Sequence, residues 1–390
     1  MVYLSTGTAV KKNKWKEEYM AVRMVDIARK VGVSRQAVSA VLNHPESCRI
    51  SSKVQEEIRR IAAELGYIPN VAAKLLKGAA SGTVGVIDSS LEFGSTTSFF
   101  QEILADLQKA NMDPIVQGFS NDRETIKELI HKLEMRGVDG IILNTISPEM
   151  AMPHLHVPSV FLSRSIFFDC DVATDYITGG KMAVEHLYAH GRRKIALLAV
   201  QSHSFSFNHS RYTGWKNACT ELGLPCGDDL LFYGEKFNYD FDILVRKLVT
   251  MKVDAVFCHN DQIAGKLIYE LTARNVTVPD DIAVIGFDGM SFCDFCKVPL
   301  ATVIQPLRKK AQLGVELLLD RIRNNIVNAP PAGIFIEPVL LPSRSCGCPE
   351  RRETRFDKLN NFQTIEMGLF RNFGEELSPV VRICTDKSEK

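Results

Sequence analysis

The chain has 390 residues, 45% hydrophobic and 24% charged, the make-up of an ordinary globular protein with core enough for two or three domains. No apolar run approaches the ~18–20 residues of a membrane span. Ten cysteines in this length are too dilute for a disulfide scaffold, so a reducing cytoplasm is expected. The formal net charge of +1 hides an asymmetry: residues 1–80 carry 14 Lys+Arg against 7 Asp+Glu, and the rest carries 33 against 39. A basic head joined to a mildly acidic body suits an electrostatic search of nucleic acid.

In chain order, residues 1–19 show no periodicity and are expected to be a flexible arm. Residues 20–68 read as a helical head. Val25, Ile27, Ala28 and Val31 form one apolar stripe that Gly32 ends. Ser34 then caps a second helix, Arg35–Leu42, with Ala37, Val38, Val41 and Leu42 inward. Ser52-x-x-Gln55 has the pattern of a capping box opening a third helix, with Val54, Ile58, Ile61 and Leu65 inward. The turn Gly32-Val33-Ser34 makes the first pair a helix-turn-helix, and it puts Arg35 and Gln36 at the exposed start of the second helix. Arg suits guanine O6/N7 and Gln suits adenine N6/N7.

Residues 69–82 form a hinge. Val71–Lys77, which Asn70 can cap, is too short to hold a helix in water without a second subunit or DNA against it. From residue 83 to 348 apolar strands alternate with amphipathic helices, which predicts an α/β domain of parallel sheets. Strands are expected at 83–87, 114–119, 140–144, 159–162, 194–200, 255–259, 282–287 and 302–304. Helices are expected at 99–111, 123–136, 178–190, 211–222, 240–250, 262–275 and 308–325. So long a run exceeds one sheet and predicts two lobes with a ligand cleft between them. Residues 349–390 form a charged tail.

Catalytic signatures are missing. There is no G-x-G-x-x-G, no P-loop, no H-E-x-x-H and no G-x-S-x-G. Cys293-x-x-Cys296 and Cys346-Gly-Cys348 do not have the paired spacing of a zinc ribbon, and the nine histidines look scattered. No metal, cofactor or enzymatic activity is expected. A free-standing solute-binding protein would lack the basic head, and an α/β enzyme with a helical appendage would need a nucleophile, metal or phosphate loop.

Val25-Asp-Ile-Ala28, Gly32-Val-Ser34 and Ala37-Val-Ser39-Ala-Val-Leu-Asn43 resemble the helix-turn-helix of the lactose-repressor family of bacterial transcription regulators. Tyr67-Ile-Pro-Asn70 and Ser81-Gly-Thr-Val-Gly85 resemble the hinge and first sensor strand of that family. His186-Leu187, Gly191-Arg-Arg-Lys-Ile195, Arg211-x-x-Gly214-Trp215, Asn260-Asp261-x-x-Ala264-x-Gly265 and Gly286-Phe-Asp288 follow in the family's order. The resemblance implies a cytoplasmic, nucleoid-associated homodimer, or a dimer of dimers, on a pseudo-palindromic operator with no membrane partner. Ser34, Arg35, Gln36, Ser39, Asn43 and Asn70 are then DNA contacts, and Leu76 is a wedge in a central minor-groove step. It further implies a sensor with the fold of periplasmic sugar-binding proteins. Its sugar-like effector would meet Arg211, Asn260 and Asp288 first, then Arg164 and Gln305. Phe100 and Phe237 are either walls against a sugar face or core residues. Ala40 stands where many members carry Arg, and Ser163 where Asp is frequent, so one DNA contact and one hydroxyl acceptor are missing.

Overall fold

Three short helices, α1 (Met24–Val31), α2 (Arg35–Asn43) and α3 (Ser52–Glu64), close over one apolar core in the first of two compact units, Met1–Ser81. Ile27 and Ala28 from α1, Val38 and Val41 from α2, and Ile58, Ile61 and Ala62 from α3 are its buried residues. These are the inward faces that the helical spacing assigns. The Arg23 amide donates to the Asp26 carboxylate at 3.0 Å at the start of α1. Gly32 ends that helix with φ 77° and returns its amide to the Ala28 carbonyl, a left-handed cap that suits a residue without Cβ. Ser34 caps α2 as expected, its Oγ accepting from the Ala37 amide at 3.1 Å. The expected capping box at Ser52 does not form. Ser51 is the capping residue and makes no side-chain cap bond, while Gln55 Nε2 donates to the Ile50 carbonyl at 2.8 Å.

The computed structural model describes residues 22–43, 49–67, 80–88, 94–118, 123–144, 154–163, 170–201, 211–235 and 239–349. The expected arm, the hinge from 69 to 79 with Asn70 and Leu76, Arg164, Phe237 and the tail beyond 349 lie outside the described residues.

The second unit, Gly82–Lys390, holds two six-stranded sheets. The first runs β11–β5–β4–β3–β1–β2 and is parallel throughout, built from β1 (Thr83–Asp88), β2 (Asp113–Gly118), β3 (Gly140–Asn144), β4 (Ser159–Ser163), β5 (Val172–Thr174) and β11 (Ile334–Ile336). The second runs β12–β10–β9–β8–β6–β7, from β6 (Ile195–Gln201), β7 (Leu231–Glu235), β8 (Ala255–Cys258), β9 (Ala283–Asp288), β10 (Ala301–Ile304) and β12 (Val339–Leu341). Only the edge pair β10–β12 in it is antiparallel. Central strands such as β3 and β8 are buried along their whole length, as a parallel sheet covered on both faces requires.

In the first lobe, α4 (Gly94–Lys109), α5 (Arg123–Met135) and α10 (Leu307–Arg323) cover the sheet. Two separate cores result: Phe100, Ile103, Leu107 and Val315 lie on one side, and Ile126, Ile130 and Leu133 on the other. Arg321 anchors α10 through a buried two-pronged pair with Asp171, at 2.6 and 2.9 Å. The second lobe has one continuous core under α6 (Tyr176–Ala189), α7 (Arg211–Glu221), α8 (Phe241–Thr250) and α9 (Asp261–Ala273).

The chain passes between the lobes three times: from β5 into α6, from β10 into α10, and from β11 into β12. The first two crossings leave the carboxyl ends of their strands, and the third leaves the carboxyl end of β11. The carboxyl edges of both sheets therefore border one cleft, where open α/β sheets bind ligands. In each sheet the strand order reverses beside the first strand, at β1/β3 and at β6/β8.

Candidate DNA-reading helix and effector cleft

Ser34, Arg35 and Gln36 are exposed at the start of α2, while Val38 and Val41 behind them are buried. The core thus fixes the helix and leaves its first turn for contact. Ser39 is half-buried one turn on, Ala40 is half-buried beside it, and Asn43 is the last residue of the helix. Arg35 lies near enough to Tyr67 to oppose electrostatically the rise in the tyrosine's pKa that burial causes. Arg60 pairs with Glu57 and Glu64 on the outer face of α3, and Lys30 reaches Glu64 at 3.7 Å. Those cations are partly neutralised, whereas α2 has no acidic residue.

The cleft is organised by Arg211. Helices α6 and α7 touch backbone to backbone: a Cβ on Gly214 would sit 2.1 Å from the Ile177 carbonyl, and one on Gly180 would sit 2.5 Å from the Arg211 carbonyl. Only glycine permits this approach. It places the Arg211 guanidinium 3.9 Å from the Phe287 ring centre and 4.5 Å from that of Tyr176. Trp215, one turn along α7, is fully buried and donates to the Ile195 carbonyl at 3.1 Å, which ties the helix to β6.

Arg211 Nη2 donates to Asp288 Oδ1 at 3.0 Å, and Nη1 lies 3.3 Å from His259 Nε2. Gln305, at the crossing from β10 to α10, donates from Nε2 to the same Asp288 oxygen at 2.6 Å. Its Oε1 accepts from the Tyr176 hydroxyl at 2.8 Å. Asp288 has φ 105°, an uncommon conformation for a residue with Cβ and one concentrated at functional sites. Arg211 and Asp288 of the second lobe are thus joined in one network with Gln305 and Tyr176, which flank the crossings.

Asn260 and Asp261 serve the frame. Asn260 Oδ1 accepts from the Ile263 amide at 2.9 Å as the cap of α9, at the carboxyl end of β8. Asp261 is fully buried and accepts from Thr302 Oγ1 at 2.5 Å and from the Met290 amide at 2.6 Å. Burial, then the charge of Asp288, pushes its carboxyl up to about 7, while those hydrogen bonds oppose the rise. Gly286 leaves the room, since a Cβ there would meet Asp261 Oδ1 at 2.3 Å. Phe100 packs in the first-lobe core with 6% exposure, the core alternative of the two sequence readings.

Sequence reading does not find the first-lobe polar pair. Asp88 ends β1, Asn144 ends β3, and both are buried; Asn144 Nδ2 donates to Asp88 Oδ2 at 2.6 Å. Asn144 Oδ1 is buried without a hydrogen-bond partner among the described residues. Tyr176 and His259 are likewise not anticipated. For Asp88, Asn144 and His259 the sequence signal is a polar residue at the end of an apolar strand; Tyr176 carries none. A second constellation lies elsewhere: His186, His190, Cys346 and Cys348 bring four potential ligand atoms within 4.8 Å of one another. Cys293 and Cys296 are not part of it.

Comparison with known proteins decides what this architecture belongs to. Residues 23–70 match the model of bacterial regulatory proteins of the lacI family, and residues 184–346 match a periplasmic binding protein-like domain. The probable HTH-type transcriptional repressor ExuR of Bacillus subtilis is 31% identical over 318 residues, covering 77% of this chain and 92% of that protein. The chain belongs to the lacI family of bacterial transcription regulators. The HTH-type transcriptional repressor PurR of Vibrio parahaemolyticus is 29% identical over 314 residues, covering 77% of this chain and 91% of the relative. The lac repressor dimer bound to operator and the anti-inducer ONPF superposes with a TM-score of 0.72 at 25% identity, over 84% of this chain and 99% of that one. The regulator is therefore a DNA-binding transcription regulator with a small-molecule sensor domain, and not an enzyme. Among the described residues no helix is long and apolar enough to cross a membrane.

Proposed function

We propose that this regulator is a repressor that binds a pseudo-palindromic operator as a homodimer, and that a sugar or sugar derivative in the cleft sets its operator affinity. The network of Arg211, Asp288, Gln305 and Tyr176 at the crossings carries this reading. It presents planar, multidentate groups of the kind that pair with vicinal hydroxyls, held in place by the buried rings of Tyr176 and Phe287. The buried acceptor on Asn144 adds a site for one more hydroxyl from the opposite lobe. A solved relative, the regulator CelR in complex with cellobiose, shares the fold at a TM-score of 0.60 and 24% identity, over 83% of this chain and 99% of that one.

In the head, Arg35 and Gln36 read base edges while Ser34, Ser39 and Asn43 hold the phosphates, with Asn70 and Leu76 acting at the hinge. An effector moves the operator equilibrium only by its different affinity for the two lobe arrangements. Those arrangements reach the DNA through the spacing of the paired hinges. Selection from a random double-stranded DNA pool by the full-length chain, with and without pooled sugars, tests the reading. One enriched palindrome with a flexible central step is expected. No enrichment under either condition would overturn it.

A further inference from the structure

Four side chains that the DNA switch does not use converge at the far end of α6. His186 lies in the last turn of that helix and His190 is its C-cap, four residues on, with ring centres 4.6 Å apart. Cys346 and Cys348 come from the segment that follows β12. His186 Nε2 lies 3.2 Å from Cys346 Sγ and 3.6 Å from Cys348 Sγ, and His190 Nε2 lies 3.2 Å from Cys348 Sγ. One ring nitrogen has a single proton or a single lone pair, so mutual hydrogen bonding does not account for two sulfurs around His186 Nε2. A shared cation does. With Zn–S near 2.3 Å and Zn–N near 2.0–2.1 Å, a tetrahedral ion sets its nitrogen and sulfur ligands about 3.5 Å apart, close to the observed 3.2–3.6 Å.

We propose that His186, His190, Cys346 and Cys348 form a structural zinc site in the second lobe. Two thiolates cancel the charge of a divalent ion, which removes the main penalty for placing it among buried residues. Four protein ligands leave no open position, so the role is to brace and not to catalyse. The cysteine turn is built for it. Ser345 Oγ donates to the Val284 carbonyl at 2.6 Å and accepts from the Ala301 amide at 2.8 Å, and Gly347 turns the chain at φ 99° between the two sulfurs. The ion would tie the last turn of α6 to the end of the sensor domain. The same helix begins at Tyr176, about 20 Å away along its axis, where the lobes cross. The spacing H-x-x-x-H followed much later by C-x-C is a weak motif, and only the fold brings its halves together.

The test is metal content of the full chain, purified under reducing conditions without chelator or metal-affinity steps. About one zinc per chain is expected, with cobalt(II) exchange giving the intense visible bands of a tetrahedral ion and thiolate charge transfer. Both should vanish in C346S/C348S and fall in H190A, a ligand less buried than His186, and both should survive in C296S. The idea is overturned if the reduced, folded wild-type chain holds no zinc after zinc dialysis, or gives only the weak bands of octahedral cobalt. A Cys346–Cys348 disulfide found in freshly lysed cells, or bands that persist in C346S/C348S, would overturn it equally. Because the wild-type spectrum decides on its own, a variant that fails to fold does not rescue the proposal.

Discussion

In the second lobe the strand ends carry side chains that hold one another in place: Asp288 accepts from both Arg211 and Gln305, and Arg211 is held between His259, Phe287 and Tyr176. In the first lobe the strand ends carry a smaller pair, Asp88 and Asn144, with one buried acceptor left over. Their packing differs in the same sense, one continuous core against two separate ones on the faces of the sheet. On the proposed function, the second lobe would receive a polar ligand on groups already in place, and the first would complete the contacts once the ligand is present. Preorganisation lowers the ordering cost of binding, and a late-arriving contact is the kind that distinguishes two lobe arrangements.

The contrast can be broken most severely at the helix contact that positions Arg211. Gly214→Ala puts a methyl 2.1 Å from the Ile177 carbonyl, so α6 and α7 must part. A stability loss of roughly 3 kcal/mol or more is expected, read by denaturant unfolding of the full chain. Asp288→Asn keeps the shape and removes the charge facing Arg211. It is expected to lower affinity for a cleft ligand by about 10-fold to 100-fold in calorimetry, with the fold retained by circular dichroism. Asn144→Ala, on the other lobe, removes the late contact together with the hydrogen bond to Asp88, and is expected to weaken binding by about 10-fold or less. Equal losses from both lobes would show that the asymmetry has no bearing on binding.

Two smaller effects sharpen the account. Gln36→Ala is expected to relax selection at one base of each half-site by about 1–3 kcal/mol, read by repeating the operator selection. Asp261 has a folded-state pKa raised to about 7, above its ordinary value of 3.8, so the folded chain holds a proton that the unfolded chain has released. Its contribution to stability is present below about pH 4 and is lost as pH rises to about 7. Asp261→Asn should therefore flatten the decline in stability between those limits, measured as the difference from wild type across a pH series.

Much of this was legible in the chain because period and punctuation agree. The helix-turn-helix follows from the stripe ending at Gly32 and the cap at Ser34, and both form as read. All the expected sensor strands and helices occur among the described residues. Of the strands missed, β7 breaks its apolar run at Gly234-Glu235, and β5, β11 and β12 are only three residues long. So short a run carries too little alternation to stand out, and its pairing comes from a neighbouring strand already in place. The capping box at Ser52 failed for a related reason: Ser51 offers an equivalent start one residue earlier, and pattern alone does not choose between them.

For the site, the family resemblance picks out Arg211, Asp288 and Gln305, which the structure joins, and Asn260, whose Oδ1 caps α9 while its amide nitrogen takes no part in that cap. It did not find Asp88, Asn144, Tyr176 or His259. Asp88, Asn144 and His259 stand at the ends of apolar strands and Tyr176 opens a helix, and what makes them cleft residues is the three-fold crossing between lobes. The histidine and cysteine cluster was invisible for the same cause, since 156 residues separate His190 from Cys346.

The most direct test of the central claim is the equilibrium affinity of the full chain for its selected operator, measured by fluorescence anisotropy at fixed salt with and without a sugar shown by calorimetry to bind the cleft. At least a ~10-fold change is expected in wild type, equivalent to about 1.4 kcal/mol of coupling, with little change in Asp288→Asn at the same sugar concentration. A sugar that occupies the wild-type cleft and leaves operator affinity unchanged would contradict it.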